Sequence, residues 1–213
     1  MIFSGPMVRA LLNRSKRETR RAVTRRRSVD GYTGKMPCQG LWGSLDWATA
    51  EDMIDFEDVP YLSIYDAKCG TLSRFECRVQ KGDRIWVKET WHSEPRQSDC
   101  PDLAYRADEP GECPPWTWSS PMLMPRRACR LVLDVTEQPY PQRLSDITDE
   151  QAVAEGVQFV DREPPFACWR GHEGLPFEPT ARAAYFSLFG SINGEVDKSQ
   201  WCWVYPGLRP VGA

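Results

Sequence analysis

The chain has 213 residues, of which 41% are hydrophobic and 27% are charged, and its formal net charge is -3. This composition is typical of a globular protein with a buried core and excludes a disordered or fibrous chain. The charge is uneven, because residues 1–35 hold ten basic and two acidic side chains, which leaves a net charge of -11 for the rest. An extended nucleic-acid surface is therefore not expected beyond the amino-terminal segment.

The first half of the sequence predicts one helix, one irregular stretch and one well-bounded strand. Hydrophobic periodicity predicts a short amphipathic helix over residues 7–13. Glycines and prolines interrupt the pattern between residues 28 and 80, where we expect hairpins with a strand at 61–65. A Gly-Asp turn precedes a β-prone run that predicts a strand over 84–91. Residues 92–121 are rich in proline but include two tryptophans, which favours an ordered loop over a linker.

The second half predicts two strands and two helices. Alternating apolar residues predict a strand over 128–136. Thr148, followed three residues later by a glutamine, matches a capping box, and the helix that it opens is expected to reach Glu155. A second helix is predicted over 179–189, and a glycine follows each helix as an expected stop. The last run, residues 201–205, predicts a strand, so the fold class is α+β with a small barrel-like sheet.

The eight cysteines are isolated in the sequence, and neither His92 nor His172 stands at a metal-ligand spacing from any of them. Zinc sites usually draw two ligands from one short motif. We therefore expect no metal or cofactor, and we expect the cysteines to be reduced thiols. The amino-terminal segment lacks the apolar stretch of a secretory signal, and no window reaches the ~18 apolar residues of a membrane span. The sequence thus predicts a cytoplasmic protein with no membrane partner.

Four segments, in this order, resemble the ASCH domain, a PUA-like superfamily of small β-barrels, in the form often carried by bacteriophages. They read FSGPMVRALLNRSKRETRR, GDRIWVKETW, LVLDVTEQPYPQRLSDITDEQAVAEGV and WCWVY. The matched stretches cover residues 1–27, 82–91, 121–157 and 179–205, about half of the chain. The resemblance implies a single domain over 1–213, a PUA-like small β-barrel with flanking helices and large loop insertions at about 28–80, 92–120 and 158–178. It also implies the host cytoplasm as the location if a phage encodes the chain.

The same resemblance implies an activity. Within the superfamily, a small bacterial amidohydrolase acts on N4-acetylcytidine with a lysine, a threonine three residues later and a glutamate on a later helix. The matching positions are Lys16, Thr19 and Glu155. One departure concerns the turn, which usually reads Gly-Arg-Lys-Thr and is Arg14-Ser15-Lys16-Arg17 in this chain. The glycine is lost, and an arginine stands next to Lys16.

The chemistry of amide hydrolysis is consistent with these residue types. The reaction needs a nucleophile, a base and a hydrogen-bond donor to the developing oxyanion. Thr19 is the expected nucleophile and Lys16 the base, which requires a depressed lysine pKa. Burial and neighbouring arginines would depress it, whereas an ion pair with Glu155 would raise it. The expected substrate is a small nucleoside or nucleotide, and the expected substrate-binding residues are Arg20, Arg21 and Trp91.

Two other functions are compatible with the sequence. PUA-like barrels commonly bind RNA, and five arginines near the amino terminus could neutralise phosphates: Arg20, Arg21, Arg25, Arg26 and Arg27. A metal-dependent ribonuclease is the other alternative, although the scattered carboxylates form no evident pair. Four tryptophans are candidates to stack on a base: Trp42, Trp91, Trp116 and Trp118. The sequence predicts no oligomeric state.

Overall fold

The computed structural model describes residues 1–23, 51–55, 61–66, 71–93, 103–108, 117–161 and 167–211. In chain order the elements of these residues are α1 (Gly5–Leu12), β1 (Thr19–Ala22), β2 (Glu51–Asp55), β3 (Tyr61–Asp66), β4 (Thr71–Glu76), β5 (Arg84–Trp86), β6 (Trp91–His92), β7 (Ala104–Tyr105), β8 (Val132–Val135), β9 (Tyr140–Arg143), α2 (Asp149–Ala154), β10 (Gln158–Asp161), β11 (Ala167–Arg170), α3 (Ala181–Asn193), β12 (Trp201–Tyr205) and β13 (Leu208–Pro210).

The strands pair antiparallel in small sheets. Three sheets have three strands each, in the orders β1-β12-β9, β13-β8-β5 and β2-β3-β4, and two strand pairs, β10-β11 and β6-β7, stand apart from them. Among the described residues these pairings do not close into a barrel. The protein is a mixed helix and strand structure with few helices and small antiparallel sheets, which is compatible with the α+β class.

Strand β12 is the centre of the sheet that positions the site. It pairs with β1 on one side and with β9 on the other. All five of its residues are buried, because hydrophobic clusters cover both faces of this sheet. Trp201, Trp203 and Tyr205 belong to one cluster, and Cys202, which points to the opposite face, belongs to the other. The predicted strand over 201–205 is confirmed.

The two clusters divide the described core. The first lies under α1 and the β-strands, and its buried members include Phe3, Val8, Leu11, Val87, Leu133, Val135 and Leu208. The second joins α2 and α3 to the other face of β12, and includes Leu144, Ile147, Ala152, Ala184, Tyr185 and Leu188. Sheet β1-β12-β9 therefore separates two apolar layers, and a charged side chain at its edge is removed from water.

The capping box at Thr148 is confirmed. The Thr148 hydroxyl accepts a hydrogen bond from the Gln151 N–H at 3.2 Å, and the Gln151 side chain accepts one from the Thr148 N–H at 3.1 Å. Helix α2 ends with Glu155 as its C-cap residue. Gly156 follows with φ of +99°, and a Cβ added there would lie 3.3 Å from the Cβ of Lys16. A glycine is thus required where the helix end meets the amino-terminal segment.

Four predicted elements have different bounds. The helix expected over 7–13 is Gly5–Leu12, and the strand expected over 128–136 is confined to Val132–Val135, with Arg126–Ala128 in a 3₁₀ helix. The strand expected over 84–91 is divided, because β5 ends at Trp86 and Lys88 pairs instead with the amino-terminal Ile2 in a parallel bridge. The helix expected over 179–189 continues to Asn193 and ends at Gly194. Gly190 does not stop it. The reason for glycine at position 190 is close packing, since an added Cβ would lie 2.9 Å from Val196.

The segments expected to be insertions are described only in part. Antiparallel β2, β3 and β4 confirm the hairpins expected between residues 28 and 80, and β3 confirms the strand expected at 61–65. Strands β10 and β11 form a hairpin within 158–178. The remaining expectations for the insertions, including those for Trp42, Trp116 and the arginines at 25–27, lie outside the described residues.

Candidate functional site

The turn between α1 and β1 places Lys16. Asn13 caps α1, and its side chain accepts hydrogen bonds from the backbone N–H and the hydroxyl of Ser15 at 3.0 and 2.7 Å. Arg14 has a φ of +63°, in the left-handed region that glycine occupies without strain. The Lys16 N–H then donates to the Ala10 carbonyl at 2.9 Å, which turns the lysine back towards the helix. The backbone at Arg14 thus has a conformation that favours glycine, the residue that the resemblance would lead us to expect at this position.

Lys16 and Glu155 are in direct contact although 139 residues separate them in the chain. The Lys16 Nζ lies 2.5 Å from the Glu155 Oε2 and donates a second hydrogen bond to the Glu155 main-chain carbonyl at 2.8 Å. The lysine side chain is 0% exposed and the glutamate side chain 2%. Backbone hydrogen bonds support the contact, since the N–H groups of Arg17 and Glu18 both donate to the Ala154 carbonyl.

Arg20 holds the other oxygen of the same carboxylate. Its guanidinium group donates to the Glu155 Oε1 at 3.1 Å and also pairs with Glu18. Two further hydrogen bonds, of 3.2 and 2.8 Å, run from Arg20 to the Gln142 side-chain oxygen. The group lies 5.8 Å from the centre of the Tyr185 ring. The described partners of Arg20 thus surround its guanidinium group, and its side chain is 0% exposed.

A chain of amide groups links Arg20 to the start of α2. Gln142 donates from its side-chain nitrogen to Gln151 at 3.1 Å. Gln151, the capping-box residue, donates in turn to the Tyr140 hydroxyl at 3.0 Å. Strand β9, which carries Tyr140 and Gln142, and both ends of α2 are therefore bonded into one network. This network orients Glu155.

Burial decides the electrostatics of the cluster. Removal from water lowers the pKa of Lys16; Glu155 acts in the opposite direction, but the pKa stays below its ordinary value. Burial likewise raises the pKa of Glu18 despite the neighbouring Arg20. For Arg20 the balance is reversed: burial acts to lower its pKa, but Glu155 and Glu18 together raise it. The arginine is the permanent cation of the cluster, and the lysine is the member most easily deprotonated.

Thr19 and Arg21 lie on the other face of β1. Thr19 pairs with Tyr205 in the sheet and is 1% exposed, and alternation along the strand directs its side chain away from that of Arg20. Among the described residues, no hydrogen bond joins the Thr19 hydroxyl to Lys16 or Glu155. Arg21 donates to the Ile2 carbonyl at 2.5 Å and lies over the Phe3 ring. The structure thus joins Lys16 to Glu155, with Thr19 close in sequence but not bonded to them.

Trp91 belongs to a different part of the molecule. It packs against a small cluster that contains Tyr105 and Met124, and it pairs with Tyr105 between β6 and β7. No described contact connects it to the Lys16–Glu155 pair. Trp118 lies in the same region, 6.3 Å from the buried His92 ring in an edge-on arrangement. The aromatic residues considered for base stacking are therefore separate from the charged cluster wherever the structure describes them.

Each member of the Lys16–Glu155 pair borders a different cavity. A cavity of about 640 Å³ is lined by Lys16, Glu18, three exposed arginines and the turn between β12 and β13. A smaller one, of about 210 Å³, is lined by Glu155, residues of α1 and the loop that carries His172. The pair lies in the wall between them. The larger cavity has the volume of a typical small-molecule site.

Several residues of this network are not indicated by the sequence. Glu18, Gln142 and Tyr185 become partners of the cluster only through strand pairing and helix packing, and no motif identifies them. A second ion pair, in which only the glutamate is buried, was missed as well. Glu89, 1% exposed, accepts two hydrogen bonds of 2.9 Å from Arg130. Its only sequence signal is a glutamate inside a β-prone run.

Comparisons with protein-family models, with curated proteins and with solved structures found no match to this chain. Within the described residues, no group of three histidine, cysteine, aspartate or glutamate side chains is placed to hold a metal ion. Among the helices described, none has the length and apolar character required to cross a membrane.

Proposed function

We propose that this protein is an amidohydrolase that removes the acyl group from N4-acylated cytosine nucleosides or nucleotides, within a PUA-like domain of the ASCH type in the cytoplasm. The observation that carries the proposal is the contact between Lys16 and Glu155. These residues are two of the three that the resemblance selects, and their side chains meet at 2.5 Å from positions 139 residues apart. A chance pair of surface charges would not be expected to be buried and bonded in this way.

Lys16 serves as the general base in this proposal. Burial lowers the pKa of its amine, and a neutral amine can accept the proton of a hydroxyl. The Thr19 oxygen attacks the amide carbonyl, its proton passes to the Lys16 Nζ, and the same proton then passes to the departing N4 of cytosine. Water hydrolyses the resulting acyl ester on Thr19 and releases the carboxylic acid.

Glu155 and Arg20 are positioning residues. The carboxylate holds the lysine through one oxygen, and Arg20 fixes the other oxygen at 3.1 Å. When Lys16 turns from Glu155 towards Thr19, Arg20 still neutralises the carboxylate, so the glutamate is not left as an isolated buried charge. The arginine therefore permits the motion that the chemistry requires.

The RNA-binding alternative receives no support from a described contact. Arg20 and Arg21, two of the five arginines considered for it, are bonded inside the protein. The other three lie outside the described residues. A small ligand at the cavity beside Lys16 is the better account of the described part of the chain.

The test is the release of cytidine from N4-acetylcytidine by the purified protein. Lys16→Ala and Thr19→Ala should each lower kcat/KM by about 100-fold or more, and Thr19→Ser should retain part of the activity because it keeps the hydroxyl. Arg78→Gln, an exposed substitution outside both cavities, is the matched control. Circular dichroism and thermal melts show which variants fold. Full activity in folded Lys16→Ala and Thr19→Ala would overturn the proposal.

A further inference from the structure

We propose that the larger cavity binds the phosphate of a nucleoside monophosphate through Arg14, Arg17 and Arg209. The substrate of the site would then be a nucleotide, not a free nucleoside. This inference rests on the proposed function, because it assigns one end of the ligand that Lys16 would act on. It concerns different arginines from Arg20, which donates to Glu155, and Arg21, which donates to the Ile2 carbonyl.

The three arginines share one cavity and are exposed. Arg14 and Arg17 flank Lys16 in the turn, and Arg209 comes from β13. The two segments are held together by a hydrogen bond of 2.8 Å from the Leu208 N–H to the Arg17 carbonyl. No side-chain hydrogen bond or ion pair engages any of these three guanidinium groups within the described structure. Their donors are therefore available to a ligand.

The charge at this cavity favours an anion. Its lining also includes two carboxylates, Glu18 and Glu137, but Glu18 is already paired with Arg20. The described lining residues that have no ion pair are therefore three arginines and one carboxylate, Glu137. Guanidinium groups bind phosphate oxygens through two parallel hydrogen bonds, which matches a terminal phosphate better than a neutral sugar.

The backbone at Arg14 is a second and independent observation. Arg14 is the one non-glycine residue with a positive φ among the described residues, at +63°. Residues other than glycine, asparagine and aspartate seldom adopt this conformation, and strain of this kind is found mainly at functional sites. The conformation lies two residues before Lys16, at the border of the same cavity. Glycine would adopt this φ without strain, so a functional role for the side chain explains why an arginine is present.

The dimensions and the charge favour a mononucleotide over a polymer. A cavity of about 640 Å³ lies within the usual range for sites that enclose small ligands. Glu137 lies at the same cavity, and the chain beyond residue 35 carries a net charge of -11. A long polyanion would meet this negative charge along its length, whereas a single phosphate would meet three arginines and, among the described lining residues without an ion pair, one carboxylate, Glu137.

Isothermal titration calorimetry with cytidine and cytidine 5′-monophosphate tests this inference without relying on catalysis. The monophosphate should bind about tenfold more tightly or better, since one hydrogen bond between charged groups is worth roughly that factor. Arg17→Gln and Arg209→Gln should each remove most of this difference and leave the affinity for cytidine unchanged. Arg78→Gln, an exposed arginine outside the cavity, should change neither affinity.

Equal affinities for cytidine and its monophosphate would overturn the inference, and hydrolysis of N4-acetylcytidine in the same preparation would leave the proposed function intact. Conversely, tight binding of the monophosphate with no hydrolysis of N4-acetylcytidine or of its 5′-monophosphate would overturn the proposed function and support the phosphate site. A single-stranded cytidine oligonucleotide is the third ligand. If it binds more tightly than the monophosphate, with a steep dependence on salt, the cavity belongs to a polymer-binding surface and the inference is wrong.

Discussion

The Lys16 ammonium group binds both the side chain and the main-chain carbonyl of Glu155. Glu155 is the C-cap residue of α2, where the negative end of the helix dipole makes a glutamate unfavourable. Lys16 offsets both the carboxylate and the carbonyl. A lysine from the amino-terminal segment thus provides the positive charge at the carboxyl end of α2.

Substitution of Glu155 should cost more stability than substitution of Lys16. Glu155→Gln leaves Lys16 and Arg20 buried together without their carboxylate, and we expect the free energy of unfolding to fall by about 3 kcal/mol. In Lys16→Met, Arg20 still neutralises Glu155 and the methionine fills most of the space, so the loss should be at most about 1 kcal/mol. Urea titrations followed by tryptophan fluorescence measure both. A greater loss in Lys16→Met would show that Arg20 does not compensate the carboxylate.

Lys16 should make the free energy of unfolding increase with pH in the alkaline range. Its pKa is lowered in the folded state from an ordinary value of 10.5. Between the folded-state pKa and 10.5, the unfolded chain therefore binds more protons than the folded chain. The contribution of Lys16 to the free energy of unfolding therefore increases with pH across that window. Urea titrations of the wild type and Lys16→Met up to about pH 10 should show the wild type gaining relative to the variant. A difference that is constant with pH would mean that the lysine pKa is not lowered.

Arg14→Gly should stabilise the protein. A glycine adopts the φ of +63° without strain, and we expect a gain of about 1 kcal/mol. The thermal midpoint should rise with no change in the circular dichroism spectrum. If Arg14 also serves the proposed phosphate site, the same variant should bind cytidine 5′-monophosphate more weakly. A decrease in stability would indicate that the arginine side chain makes a contact that outweighs the strain.

Cys202 should be unreactive in the native protein. Burial raises the pKa of its thiol to about 12, so very little thiolate forms at neutral pH. Mass-spectrometric mapping after iodoacetamide treatment should find Cys202 unmodified in the folded protein and modified after unfolding in guanidinium chloride. Modification under native conditions would show that β12 separates from its neighbours on the time scale of labelling.

Local signals predicted part of this fold well. The capping box at Thr148 depends only on two side chains within four consecutive residues, and both of its hydrogen bonds are formed. The strand at 201–205 has three aromatic residues and a valine among its five residues, and it is fully buried. The division of the strand expected over 84–91 could not be predicted, because it depends on the amino terminus pairing with Lys88.

The residues of the candidate site likewise fall into those that the sequence could predict and those that depend on long-range contacts. Lys16 and Glu155 could be selected from motif spacing through the resemblance, although their contact depends on the whole fold. Arg20 was expected to bind substrate, and its attachment to Glu155 depends on the register of β1 against β12. Gln142 enters the network because β12 also pairs with β9. These long-range pairings leave no trace in local periodicity.

The central place of β12 has a consequence for synthesis on the ribosome. Thr19 pairs with Tyr205, so β1 has no sheet partner until almost the whole described chain has left the exit tunnel. Until then Arg20 lies on a strand that lacks its sheet partner. Burial of Arg20 is therefore a late step with high contact order, and a nascent chain stalled before Trp201 should not protect its side chain from solvent.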